Sequence, residues 1–398
     1  MKLFKSLLVA PATLGLLAPM SATANELNLA EVSGYSSSEE VQNISQFNSK
    51  ELAVTNSRVD GLEARINNFE AGSFSQTTTA TFSADFAVGS VDGGTATNDD
   101  AVQTGYGFQI DLNTSFTGED SLDISIDAGN ASTAGVSEFD LNNAGDTLTV
   151  DGISYTFPLA GLTVMVGDTV DGSSLFNQAC VYGGPSNTLD DCGTPNSTVL
   201  ESADAYNSDA GDGSTTLAAS YDWGNGFTAS VGLNTSGGAS TNGVFTKEGS
   251  DAIGLNASYT GDTYGVSLTY ATVEDNNGQN DNFNGINAYW TPEENRFPSI
   301  SVGYEWGDDG SAATTADELT SYFVGLQWDE VGPGTLGAAI GTKTPTVEGS
   351  NNELLMYEAF YSYPINDGMT VTPLVYVKEF ATGTEDETGV MVKTSFSF

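Results

Sequence analysis

Phe108-Gln109-Ile110-Asp111-Leu112-Asn113-Thr114-Ser115-Phe116-Thr117-Gly118-Glu119-Asp120-Ser121-Leu122-Asp123-Ile124-Ser125-Ile126-Asp127 decides how this chain folds. Phe108, Ile110, Leu112, Thr114 and Phe116 alternate with Gln109, Asp111, Asn113 and Ser115. After a tight link at 117–120, Leu122, Ile124 and Ile126 alternate with Asp123, Ser125 and Asp127. One apolar and one polar face at period two is the signature of a strand. The same alternation returns at Ile253, Leu255, Ala257 and Tyr259, and again at Tyr322, Val324, Leu326 and Trp328. Strands of a soluble sandwich run about 5–6 residues. These runs reach about 9–13, the length that crosses a bilayer at a tilt.

Outward from that hairpin, the pattern predicts about 16 strands, starting near residues 75, 102, 121, 146, 160, 214, 227, 250, 264, 281, 298, 318, 334, 351, 369 and 388. Their connections alternate in length. Tight links at 117–120, 159–160, 224–226, 260–263, 292–297, 330–333 and 364–368 carry turn formers such as Asn225-Gly226 and Asn366-Asp367-Gly368. The intervening links, at 89–101, 129–145, 168–213, 236–249, 275–280, 307–317, 343–350 and 381–387, are longer or more acidic. A sandwich has no reason to sort its loops by parity; an outer-membrane barrel does. The expected fold is therefore an all-β transmembrane antiparallel barrel over 73–398, with outer-membrane lipid against its outer face and aromatics such as Tyr259, Tyr264, Trp290, Tyr304, Trp306 and Trp328 at its rims.

The N-terminal segments differ. Met1-Lys2-Leu3-Phe4-Lys5, an apolar run to Pro19 and Ala22-Thr23-Ala24 read as a secretory signal peptide over 1–24, and Pro11, Gly15 and Pro19 argue against a membrane anchor. A polar lead-in fills 25–48. From Ser49 to Gly72, Leu52, Thr55, Val59, Leu62, Ile66 and Phe69 are spaced 3, 4, 3, 4, 3, the seam of a coiled coil. A helix of about 36 Å is marginal alone, so it is expected to associate with copies of itself beneath the barrel, on the periplasmic side.

The chain has 53 acidic and 10 basic residues. Loss of Lys2 and Lys5 with the signal takes the net charge from −43 to −45. That argues against nucleic acid and anionic lipid as partners and favours cations. Histidine is absent, which removes Ser-His-Asp and Cys-His catalysis and most imidazole metal sites. No catalytic residue, cofactor or dedicated metal site is expected. Cys180 and Cys192, in an oxidising compartment, are expected to pair as a loop disulfide.

Alternation places Asp111, Asp123, Asp127, Glu305 and Glu358 on the inner face, with Lys378 as a candidate counter-charge. Rings of acids in a water-filled lumen favour cations. The long segment 168–213, with Asp168, Asp171, Asp190 and Asp191, is the candidate for a loop folded inward as a constriction; an external flap is its alternative.

Val41-Gln42-Asn43-Ile44-Ser45-Gln46-Phe47, then Ser57-Arg58-Val59-Asp60-Gly61-Leu62-Glu63-Ala64-Arg65, then a large barrel, together resemble cyanobacterial outer-membrane porins, the OprB-type carbohydrate-selective or iron-uptake group. The resemblance departs where those proteins carry an S-layer-homology domain, for which no room exists between Phe47 and the helix. It implies a homotrimeric passive channel for small solutes, cations, inorganic iron or sugars, and a final strand whose Phe396 and Phe398 are read by barrel-assembly machinery. A structural envelope protein is the alternative. Barrel enzymes usually need a histidine, trimeric adhesins give only a few strands per chain, and siderophore receptors have 22 strands and a plug domain.

Overall fold

The structure is a computed structural model that describes residues 77–398, apart from 96–100, 133–134, 140, 143–144, 190–191, 193–214, 236–237, 239–240, 242, 245, 247–248, 275–279, 294–295, 309–317 and 348–352. The expected signal, lead-in and helix, with its Leu52, Thr55, Val59, Leu62, Ile66 and Phe69, lie outside the described residues.

Among the described residues the strands are β1 (Thr78–Asp92), β2 (Gln103–Thr114), β3 (Ser121–Gly129), β4 (Thr149–Leu159), β5 (Leu162–Asp168), β6 (Thr215–Gly224), β7 (Phe227–Thr235), β8 (Asp251–Thr260), β9 (Tyr264–Glu274), β10 (Asn280–Trp290), β11 (Ser299–Asp308), β12 (Glu318–Val331), β13 (Gly334–Thr342), β14 (Thr346–Val347), β15 (Leu355–Asn366), β16 (Met369–Lys378) and β17 (Glu387–Ser397). Each pairs antiparallel with its neighbour, and β1 pairs with both β2 and β17, so the sheet closes on itself. β14 is a two-residue piece beside β12, and β13 pairs directly with β15. The other sixteen form the barrel wall. Closure removes every free edge, which a sheet in hydrocarbon requires.

The tight connections all fall at one end. Ala160-Gly161 (φ 53° and 87°) joins Leu159 to Leu162, and Asn225-Gly226 (φ 55° and 86°) follows β6. Two positive φ values in a two-residue link give the turn whose twist matches paired strands. The chain terminus lies at this same end, where the Phe82 and Phe398 amides donate to each other's carbonyls and their rings stack at 5.8 Å. Phe396 points outward, edge-on to Phe86.

The opening hairpin turns on Asp120. Its Oδ1 accepts from the Phe116 and Thr117 amides at 2.9 and 2.8 Å, and its Oδ2 from the Tyr155 hydroxyl at 2.6 Å. The Tyr155 bond, with help from Thr117 and Ser115, holds the carboxyl well below the usual carboxylate range. A carboxyl depressed in the folded state stabilises fully above its unfolded value and stops doing so as pH falls through its folded value. Strong acidification is expected to speed hydrogen exchange at the Phe116 and Thr117 amides, and Asp120→Ala to show the same loosening at neutral pH. Unchanged exchange in both would remove Asp120 as the clamp.

The wall has two faces. In β8, Ala252, Gly254, Asn256 and Ser258 are buried while Ile253, Leu255 and Ala257 are exposed. The exposed set continues through Val266 and Leu268 of β9, Val302 of β11, Val324 of β12 and Val375 of β16. A water-facing protein does not expose so continuous an apolar band; a lipid-facing barrel must. Tyr304 and Trp306 stack at 5.8 Å near one rim, and Phe227, Tyr259 and Tyr264 cluster at the other.

Candidate permeation path

The inner face is chemically divided. On β2–β11 it carries small polar and acidic side chains, among them Asp111, Asp127, Ser230, Asn256, Ser267, Asn287 and Ser301. Toward the long-loop end of β12–β17 it carries Phe323, Met356, Phe360, Leu374, Tyr376 and Met391. These pack with Val136, Phe139, Tyr182, Leu189 and Cys192, which come from the β3–β4 and β5–β6 connections. Part of the inner face is thus a packed apolar core, because the described parts of two loops fold in and bring their own apolar residues.

The β5–β6 connection follows the inner wall. Val170 accepts from Thr216 Oγ1 of β6, and Leu175 accepts from Ser230 Oγ of β7 at 2.7 Å. The Asn177 amide donates to Asn256 Oδ1 of β8 at 3.2 Å, and the Val181 amide to Ser301 Oγ of β11 at 3.1 Å. Gly183 N reaches Gln327 Oε1 of β12 at 2.9 Å, and the Tyr182 hydroxyl reaches Glu358 Oε1 of β15 at 2.6 Å. The Tyr182 ring lies 5.3 Å from Phe323 and 5.9 Å from Phe360. Burial first, then the Glu358 charge and the bond to it, push the Tyr182 phenol well above its ordinary value, so it acts as a fixed donor. Gly325 makes room for this ring: a Cβ there would sit 2.7 Å from Tyr182 Cδ2. Cys180 and Cys192 are joined by a disulfide, Cα–Cα 6.0 Å, that encloses Tyr182 and Leu189.

The β3–β4 connection, with a single 3₁₀ turn at Ser137–Phe139, also lies inside. Its backbone rests on wall glycines of β1, β2 and β3. A Cβ on Gly89 would come within 2.0 Å of the Gly135 carbonyl oxygen, one on Gly105 within 2.7 Å of Ala131 Cα, and one on Gly129 within 1.7 Å of the Asn142 oxygen. Its tip is tied down by an ion pair between Glu138 and Lys378 of β16. Lys393 of β17 stands 5.3 Å from the Phe139 ring. The two loops meet where the Asn187 amide donates to the Glu138 carbonyl at 2.9 Å.

The five inner acids do not form one ring. Asp111, Asp123 and Asp127 sit together on β2 and β3, where β2–β3 register alternates them with Ser125, Asn113 and Gln109. Ser125 Oγ and Gln109 Nε2 donate to Asp111 at 2.7 and 2.8 Å, Asn113 Nδ2 to Asp123 at 2.6 Å, and Thr149 Oγ1 to Asp127 at 2.5 Å. Glu305 is buried over Gly285, and Glu358 is covered by Tyr182. Of the loop acids, Asp168 ends β5, where Thr215 Oγ1 donates to it at 3.5 Å, and Asp171 caps a local turn by accepting from the Ser173 amide and hydroxyl. Asp190 and Asp191 lie outside the described residues. Sequence reasoning missed Glu138, Ser186, Asn187 and the wall glycines; the glycine content of the inner face of β1–β3 was the one available signal.

No family model matches the sequence, and no curated protein matches it. Among solved structures, the chain is similar to OprB from Pseudomonas putida, at 13% identity over 81% of this chain and 94% of that one, with a TM-score of 0.59. Two mutants of the Rh. blastica porin align at 16% identity over 81% of this chain and 100% of theirs, with TM-scores of 0.52. At this identity the likeness shows the fold alone: a closed, porin-type β-barrel.

Proposed function

We propose that the protein is an outer-membrane porin, a passive and cation-preferring channel for small hydrophilic solutes and inorganic ions, inorganic iron among them. One observation carries the sign of selectivity. The inner face of β2 and β3 bears Asp111, Asp123 and Asp127 side by side. Fixed acids along a narrow aqueous path raise local cation concentration and oppose anions.

In this reading the apolar band faces outer-membrane lipid, the tight-turn end faces the periplasm, and the helix at 49–72 joins three copies. The terminal Phe398 is the assembly signal. The hydroxyl- and amide-lined wall of β6–β11 supports sugars as a second permeant class, since such groups match neutral polyols.

Planar-bilayer recording under a potassium chloride gradient tests the proposal. The reversal potential is expected to favour potassium, and Asp111→Asn/Asp123→Asn/Asp127→Asn to lower the potassium-to-chloride permeability ratio by roughly 3-fold. A wild-type preference for chloride would sink it.

A further inference from the structure

The apolar band of the outer wall is not smooth. At one level across β6–β10 the outward side chains run Tyr221, Ala229, Ala257, Leu268 and Ile286, each paired in register with the next. Two methyl groups between bulky neighbours leave a trough. It holds about 850 Å³, with Ala229 and Ala257 on its floor. A second hollow of about 380 Å³ adjoins it at Ala257 and Leu268 and continues to Leu255, Tyr270 and Trp306. From Tyr259 to Leu255 the path covers about 13 Å of strand. That is close to one leaflet's share of a hydrocarbon core about 30 Å thick.

The tight-turn end of this path is aromatic and acidic. Phe227 and Tyr259 close it, with ring centroids 4.9 Å apart, and Trp223 stands edge-on to Tyr221 at 4.9 Å. Asp222 lies between Tyr221 and Trp223 in the chain, exposed, its Oδ1 accepting from the Gly224 amide at 2.6 Å. Asp262, also exposed, sits in the β8–β9 turn. Among the described residues the only base at this rim is Arg296, on the β10–β11 link and 4.6 Å over the Phe297 ring. Aromatic faces and carboxylates both attract an ammonium group, and both disfavour an anion.

We propose that this groove binds a single phospholipid of the adjacent leaflet, with one acyl chain along Ala229, Ala257 and Leu268 and an ammonium headgroup among Trp223, Tyr259, Asp222 and Asp262. Fluid lipid wets the whole band and exchanges freely. A chain lying in the trough instead touches a floor and two sides, and dispersion contacts accumulate with enclosure. The rim then selects the headgroup: an ethanolamine lipid offers the ammonium, whereas a phosphatidylglycerol offers only negative charge. The site rests on the membrane placement of the apolar band and not on conduction, so a barrel that fails to conduct does not touch it.

Native mass spectrometry of the full-length protein, purified with equal amounts of phosphatidylethanolamine and phosphatidylglycerol, reads the bound lipid. Wild type is expected to keep one phosphatidylethanolamine per barrel. Ala257→Trp fills the trough and should lower that retention by about 10-fold. Ala359→Trp adds the same bulk to the outward face of β15, away from the trough, and should retain lipid like wild type. Asp222→Asn/Asp262→Asn changes exposed turn positions only, and should lower the ethanolamine-to-glycerol ratio by about 3-fold. Heat-modifiable gel mobility checks that each variant is folded. A wild type that keeps no lipid, or keeps both lipids equally, overturns the site, as does folded Ala257→Trp with its lipid retained. Loss of an oligomer in Ala257→Trp, with no lipid on wild type, gives the trough to a second copy and also overturns it. If Ala257→Trp does not fold, the Asp222/Asp262 variant decides: a lowered ratio supports the site and an unchanged ratio overturns it.

Discussion

Leu255→Arg is expected to prevent stable assembly of the barrel, while Gln109→Arg leaves it folded. Both add the same side chain near the middle of a strand, and they differ only in the face that receives it. Leu255 is among the exposed residues of β8, within the apolar band, whereas Gln109 faces inward and pairs in register with Asp127. An arginine on the lipid face near mid-membrane costs about 2–4 kcal/mol, against a total stability in which one or two kcal/mol is a large share. At position 109 the guanidinium faces inward beside Asp111 and the buried Asp127, whose carboxylates compensate its charge, and the effect on stability should stay within about 1 kcal/mol. Gln109→Arg should also lower the potassium-to-chloride ratio, since it neutralises the acidic side of the path. Denaturant titration in lipid vesicles measures the first effect and reversal potentials the second. Equal stability of the two variants would mean that the apolar band does not face lipid.

Much of this architecture is written in local pattern. The strand starts expected at 121, 227, 264, 318, 334 and 369 coincide with those in the structure. The alternation of tight and long links holds for most of the barrel, because each tight turn depends on a few adjacent residues. It fails at β9–β10, whose five-residue link (275–279) is shorter than the eight-residue β10–β11 link (291–298). Inward placement of Asp111, Asp123 and Asp127 follows from the same period of two. Pro373 obscured the phase of Lys378; the register Lys378↔Met356, beside the inward Glu358, resolves it.

What could not be read is what depends on distant pairs. Glu138 sits in an irregular loop with no period, and its partner is on the far side of the sequence. Val136 and Phe139 lie in the connection expected at 129–145, where no period marks which side chains turn inward. They are the loop's share of a core completed by Met356, Leu374 and Met391. Gly89, Gly105 and Gly129 read as ordinary strand glycines, since nothing local says that another backbone will lie on them.

Those glycines support the second large prediction. A Cβ at position 129 would meet the Asn142 oxygen at 1.7 Å, its carbonyl carbon at 2.6 Å and the Tyr106 oxygen at 2.7 Å. All three are backbone atoms, so no rotamer change relieves the contact. Gly129→Val must therefore move the β3–β4 loop off the wall or break the β2–β3 ladder. The ladder carries eight register pairs from Gly107↔Gly129 to Thr114↔Leu122. The loop carries no such ladder among the described residues, so the loop should yield. Overpacking of this kind costs about 1–3 kcal/mol. The displaced loop would expose Val136 and Phe139, both buried now. Gly129→Val is therefore expected to fold with reduced stability and to become cleavable by protease within 130–148. Gly285→Ala is the matched control, because its Cβ would lie at an ordinary 3.5 Å from the Glu305 side chain on an equally inward position. If Gly129→Val keeps its stability and the loop stays protected, the β3–β4 loop does not lie on this wall.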